Sequence, residues 1–344
     1  MKKLVYLFIF FAISVNAQIV NLKITDFSDN LPLDDADIYF KNSTKNFVSD
    51  QQGKAIIDLS NISQTDELIV SKKDYQDAIL KVSDLKSDMV VKLEKVSEVE
   101  LKEAFVTNLK TEDILKKVYD NYDKNFKVDE YYFLVNFQQN LLFNNIYQDF
   151  IDTNLQFKFK RGDLKIKSNG IVNNEIKSGW QPNANIKLSE YLKSYYLKDV
   201  YIQLFVNKLN DKSLLENNLT ITKYADSFVY EIHLKTSSTD YYLIIDKKTF
   251  AVIEFSLISY NRDKEVSPNN FLREGKVFYK YRPHKGNWVL KETSAIWNVT
   301  YEKENEKTDL DMNFSIIVND YSLKPFPEFN KSVNEKMDIR RSFK

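Results

Sequence analysis

Between Phe228 and Tyr260 apolar and polar residues alternate in three successive runs. Phe228, Tyr230, Ile232 and Leu234 share one face of an extended chain, and Glu231, His233 and Lys235 share the other. Tyr241, Leu243 and Ile245 repeat the pattern, and Ala251, Ile253, Phe255 and Leu257 resume it after a turn at Asp246–Thr249. An Asp at the head of such a turn accepts a local backbone hydrogen bond. The spacing therefore predicts three antiparallel strands with one apolar face, which must pack on something or enclose something.

The rest of the chain is read the same way. Short strands are predicted at 19–25, 36–40, 54–59, 67–71, 78–82 and 89–93, a spacing that indicates a small β-sandwich, with Gly53 placed where a turn wants a positive φ. A helix is predicted over 111–126, with Thr111 as N-cap, Glu112 and Asp113 in its first turn, and Ile114, Leu115, Val118, Tyr119 and Tyr122 on one stripe. Period two returns at 131–142, 147–160, 164–168, 219–224, 271–281, 287–301 and 308–318. Residues 189–208 fit a helix, although 200–206 fit a strand equally well. The fold class is mainly β (α+β): an N-terminal sandwich at 18–95, a linker at 96–110, a helix plus curved antiparallel meander or half-barrel at 111–320, and a charged, mobile tail at 321–344.

Residues 1–17 carry two lysines, an apolar run from Leu4 to Val15 and the ending Val15-Asn16-Ala17, the pattern of a secretory signal peptide; the run falls short of the roughly 20 residues of a membrane span. The chain has no cysteine, which excludes a lipoprotein acylation site and a disulfide framework. Stability must then come from core burial, for which 43% hydrophobic residues suffice. Lys+Arg and Asp+Glu both number 49, so there is no electrostatic footprint for nucleic acid.

Leu31 to Leu59 (LPLDDADIYFKNSTKNFVSDQQGKAIIDL) followed by Glu67 to Leu80 (ELIVSKKDYQDAIL) resembles the carboxypeptidase-regulatory-like, transthyretin-like domain of Bacteroidota envelope proteins. The resemblance rests on Pro32-Leu33 before Ala36, the turn from Ser49-Asp50 to Gly53, and Asp74-Tyr75, where the family usually has Gly before the aromatic residue. It implies a sandwich and supplies no zinc ligands. The junction from Ser97 to Thr107 resembles the exit from this domain in TonB-dependent receptors, but a barrel of about 22 strands at roughly ten residues each would use nearly all the remaining chain before any plug was counted. The C-terminal part, through Ile114 to Phe126, Tyr241 to Leu257 and Gly286 to Glu292, is distantly similar to the half-barrel of periplasmic lipoprotein carriers.

Chemistry-bearing motifs are scarce. Hydrolytic zinc sites use three protein ligands, usually with histidine among them, and the chain has two histidines, His233 and His284, neither in an H-E-x-x-H pattern. We read one as a strand residue and the other as a solvated turn residue. No G-x-S-x-G elbow or phosphate loop is present. No catalytic residue, cofactor or metal is assigned, and the chain is read as not an enzyme. The 24 Phe, 21 Tyr and three Trp (Trp180, Trp288, Trp297) either line a ligand surface or fill a sheet core, and the core reading is preferred. Ile253, Phe255, Leu257, Leu243 and Ile245 form the candidate ligand-facing apolar surface.

These observations predict an exported, non-enzymatic binding or scaffolding protein of the periplasm or outer-membrane surface. Its partner would be an envelope protein or a lipid or glycan ligand, with peripheral outer-membrane association and no nucleic acid. Two alternatives stay open: a periplasmic carrier holding a lipid or acyl chain in the half-barrel, and a small outer-membrane β-barrel.

Overall fold

A computed structural model describes residues 19–334 except 44, 97–107, 127–129, 161–162, 177–208, 210–213, 225–226, 261–263, 268–269, 285 and 304–305. The signal-peptide reading of 1–17, most of the 96–110 linker, the ambiguous segment 189–208 and Trp180 lie outside these residues. The chain divides into two compact units after Val96.

Among the described residues the first unit holds seven strands: β1 (Ile19–Asp26), β2 (Asp37–Phe40), β3 (Asn46–Val48), β4 (Lys54–Asp58), β5 (Glu67–Ser71), β6 (Ala78–Lys81) and β7 (Met89–Leu93). One sheet runs β4-β1-β7, with β1 antiparallel to β4 and parallel to β7; the other runs β3-β2-β5-β6. Alternation decides what is buried. Val20, Leu22 and Ile24 of β1 and Ala55 and Ile57 of β4 meet Ile38, Phe40, Leu68 and Val70 of the second sheet in one core. Strand β3 was not predicted, because its short run Asn46–Val48 is half-buried throughout and shows no alternation. Gly53 does sit in the left-handed region (φ 70°), and a Cβ there would lie 2.4 Å from the Ile24 carbonyl oxygen, so glycine is required by backbone approach as well as by φ.

The second unit has, among the described residues, α1 (Thr111–Asn125) and twelve strands: β8 (Tyr131–Phe143), β9 (Ile146–Lys160), β10 (Asp163–Ile176), β11 (Leu214–Tyr224), β12 (Ser227–Thr236), β13 (Thr239–Asp246), β14 (Val252–Ser259), β15 (Lys264–Ser267), β16 (Asn270–His284), β17 (Asn287–Lys303), β18 (Glu306–Ser322) and β19 (Lys331–Ser332). They form one open sheet in the order β11-β12-β13-β14-β16-β17-β18-β8-β9-β10-β19, with β15 added beside β16. Neighbouring strands are antiparallel throughout, as hairpin-connected strands allow.

Three details differ from the sequence expectations. Thr111 is the first helical residue and not the N-cap: the first helical bond runs from the Ile114 N–H to the Lys110 carbonyl, the Lys110 N–H donates to Asp113 (3.1 Å), and the Thr111 hydroxyl donates to Asn217 Oδ1 on β11 (2.9 Å). Strand β10 continues past Ser168 to Ile176, because an irregularity between Ser168 and Val172, with Gly170 at φ 84°, absorbs the polar stretch that reads as a strand end. The segment after Tyr321 is no mobile tail as far as Asn334. The Phe326 N–H donates to Gln156 Oε1 (2.6 Å), Phe329 and Val333 are buried, and β19 pairs with β10. Alternating hydrophobicity is absent over this stretch, so its docking had no periodic signal.

Candidate functional site

Side chains of one parity along the sheet face α1 and form a continuous apolar layer. Tyr230, Ile232 and Leu234 of β12, Leu243 and Ile245 of β13, Phe255 of β14, Tyr279 of β16 and Phe133, Val135 and Phe137 of β8 share one core with Ile114, Leu115, Val118 and Tyr122 of the helix. The helix is fixed at both ends, by Thr111 on Asn217 and by Asn125, whose side-chain amide donates to the Thr249 carbonyl (2.8 Å). Phe126, just beyond it, stacks on Tyr122 (4.4 Å) and meets Tyr281 edge-on (4.9 Å).

Of the five residues predicted to form one apolar surface, four lie in or against this layer. Leu243 and Ile245 are fully buried, Phe255 is 1% exposed, and the half-buried Leu257 packs at the margin. Ile253 belongs to the other face. The pairing slips between Ile244↔Glu254 and Ile245↔Val252, leaving Ile253 as the extra residue of a bulge, so Val252 takes the helix-facing place. Ile253 instead clusters with Tyr224, Val229 and Ile244 on the outer face, where Trp288 packs against it. A one-residue slip reverses a strand's faces, and nothing in alternation marks where it falls. The turn before it matches the reading: Asp246 Oδ1 accepts from the Thr249 N–H and hydroxyl, both at 2.6 Å.

Tyr131 and Tyr281 are buried in this layer, and the half-buried Tyr321 packs against it. Burial raises the hydroxyls of Tyr131, Tyr281 and Tyr321 well above the usual range, and the Tyr321 hydroxyl donates to the Leu290 carbonyl. His284 is not a solvated turn residue. It ends β16, half-buried, with its ring stacked on Tyr321 at 5.8 Å. His233 lies on the outer face of β12, three strands from β16, so about 14 Å of sheet separates even the nearest parts of their strands. The sheet does not bring the two histidines together. Trp288 and Trp297 pack against the core, as the preferred reading of the aromatics has it.

The outer face carries a feature the sequence reading passed over. His233, Tyr242 and Ser256 stand directly opposite one another across β12, β13 and β14, and Asp240 stands opposite Ile258 in the next row. These five residues line an open pocket of about 290 Å3. Tyr242 lies between His233 and Ser256, whose backbones are two strand spacings or about 10 Å apart, so the Ser, His and Asp present are not in relay geometry. The Tyr260 hydroxyl reaches Asp240 Oδ2 at 3.4 Å and is held above its usual range, chiefly by burial and then by the Asp240 charge.

No protein-family model matches the chain, and no curated protein matches it either. Among solved structures it is similar to a LolA superfamily protein from Nitrosomonas europaea, at 11% identity and a TM-score of 0.23, over 65% of this chain and 99% of that one. It is also similar to lipovitellin, at 9% identity and a TM-score of 0.28, over 60% of this chain and 27% of that one. A Bacteroides fragilis protein described as membrane-associated and of unknown function matches at 10% identity and a TM-score of 0.18, over 88% of this chain and 98% of that one. Likenesses of this depth say nothing about activity.

Sequence reasoning also missed Gln139. It lies on the helix-facing parity of β8, 1% exposed, opposite Ile151 and Phe314, and among the described residues neither end of its amide has a hydrogen-bond partner. A polar residue at an apolar position of an alternating strand was the available signal.

Proposed function

We propose that this chain is an exported, non-enzymatic binding or scaffolding protein of the cell envelope, with a regulatory-like sandwich followed by a helix-covered open sheet. The observation that supports binding over chemistry is the filling of the sheet's helix-facing layer by the chain's own side chains: Ile114, Leu115, Val118, Leu243 and Ile245 are all fully buried against one another's cluster. Such a layer builds a stable platform, and the surfaces left for partners are the outer face and the strand edges. The two-sheet core of the first unit favours the sandwich reading of residues 18–95. The open strand order, and an outer face on which Asn136 donates to Asp152 (2.8 Å) and the Thr300 hydroxyl to Asp309 (2.8 Å), weigh against an outer-membrane barrel, whose lipid face is apolar.

A carrier is the second reading. It is favoured by the continuous apolar layer beneath an amphipathic helix, and it requires α1 to lift so that an acyl chain can replace it.

Export is tested by expressing the chain from Met1 in a Bacteroidota host, fractionating the cells and measuring intact mass. A product beginning at Gln18 in the periplasmic or outer-membrane fraction is expected. A full-length product confined to the cytoplasm would overturn the reading.

A further inference from the structure

On the outer face, an aromatic ring, an aliphatic side chain and three polar side chains converge in the pocket formed by β12, β13 and β14. Tyr242 and Ile258 give it an apolar wall, while His233, Asp240 and Ser256 stand around that wall in adjacent rows of the sheet. Among the described residues Asp240 Oδ1 is buried without a hydrogen-bond partner, and its other oxygen has the long contact to Tyr260. Buried polar atoms are normally paired, so an orphaned carboxylate oxygen beside an open pocket marks a place where a donor is wanted.

The surrounding charges decide what kind of donor fits. Lys235, opposite Asp240, lies 3.9 Å from Glu216, and Lys276, opposite Ile258, pairs with Glu274 at 3.1 Å. Apart from Asp240 itself these rim charges pair off, which suits a neutral ligand that donates to one carboxylate better than an anion or a polycation. A neutral ligand that offers hydroxyl donors to a carboxylate, exchanges hydrogen bonds with a hydroxyl and an imidazole, and lays C–H groups on an aromatic ring is a sugar.

We propose that this outer-face pocket binds a neutral hexopyranose unit of a glycan, with its apolar face on Tyr242 and Ile258 and its hydroxyls donating to Asp240. Ser256 and His233 complete the ring of contacts. The site lies on the opposite face of the sheet from α1 and does not depend on whether the helix-facing layer takes a ligand.

The experiment is saturation-transfer NMR on the chain from Gln18, with the methyl glycosides of glucose, galactose, mannose and N-acetylglucosamine as probes and choline as a cationic control. Transfer to the ring protons of at least one glycoside is expected, with weak millimolar affinity for a single sugar. Asp240→Asn and Tyr242→Ala should each weaken it about tenfold, the scale of one lost hydrogen bond to a charged group or one lost stacking surface. Asp240→Asn keeps the size and shape of the side chain, so retained unfolding behaviour with lost transfer separates binding from folding. No transfer from any glycoside, transfer unchanged in both variants, or transfer to choline alone would overturn the proposal.

Discussion

Phe255→Asp unfolds the second unit while the first unit stays folded. Phe255 is 1% exposed, lies opposite Leu243 and Tyr279 in the pairing and holds its ring 6.0 Å from that of Tyr279, in the same core as α1. Removing the ring alone costs about 3–5 kcal/mol, and an unpaired carboxylate in its place adds a desolvation penalty. Together these approach the whole stability of an ordinary domain, about 5–15 kcal/mol. The first unit has a core built from its own strands, so one of two unfolding transitions is expected to survive in calorimetry. Phe255→Leu keeps the layer filled and should leave both transitions in place. A Phe255→Asp protein with two normal transitions would mean that the layer is not the core described here.

The second large effect is on acid stability and belongs to the first unit. Asp26 is buried at the end of β1, where Oδ1 accepts from the Ser28 hydroxyl (2.6 Å) and N–H (2.7 Å) and Oδ2 accepts from the Tyr75 hydroxyl (2.8 Å). These hydrogen bonds, that of the Ser28 hydroxyl first, hold its carboxyl well below the usual carboxylate range, with Lys95 helping from 3.5 Å. A carboxyl whose folded pKa lies below its unfolded value stabilises the fold fully above the unfolded value, about 4, and that contribution is lost as pH falls toward the folded value. Wild type should therefore lose first-unit stability from about pH 4 downward. Asp26→Asn should start less stable at neutral pH and run flatter, so that the two curves converge in acid. Tyr75→Phe removes one of the three donors and should cost about 1 kcal/mol at neutral pH. Burial, and then Asp26, push the Tyr75 hydroxyl well above its usual value, so its contribution is present below about pH 10 and lost above it. Urea titrations from pH 2 to 7 give the comparison, and parallel wild-type and Asp26→Asn curves would sink it.

The residue pattern carried the parts of the fold that obey a single period. Strands β12 and β13, the turn at Asp246 and the buried stripe of α1 are legible because each apolar position recurs at the expected spacing and each has a partner at that spacing. What escaped the pattern has a common cause, a local break of register. The bulge beside Val252 turned Ile253 to the outer face, and the irregularity near Gly170 hid the second half of β10. Where a side chain found a distant partner instead of a local one, as Thr111 did on Asn217, the local rule gave the wrong cap. The outer-face pocket was illegible for a related reason. His233, Asp240, Tyr242, Ser256 and Ile258 come from three strands, and their convergence exists only once the pairing register is known.

The chain from Gln18, produced without detergent and weighed by native mass spectrometry, tests directly whether the helix-covered layer is a filled core. The account predicts the mass of the bare polypeptide, and solvent extraction that yields no acyl chain in proportion to protein. A stoichiometric lipid or acyl adduct, released on extraction, would contradict it and put the carrier reading in its place.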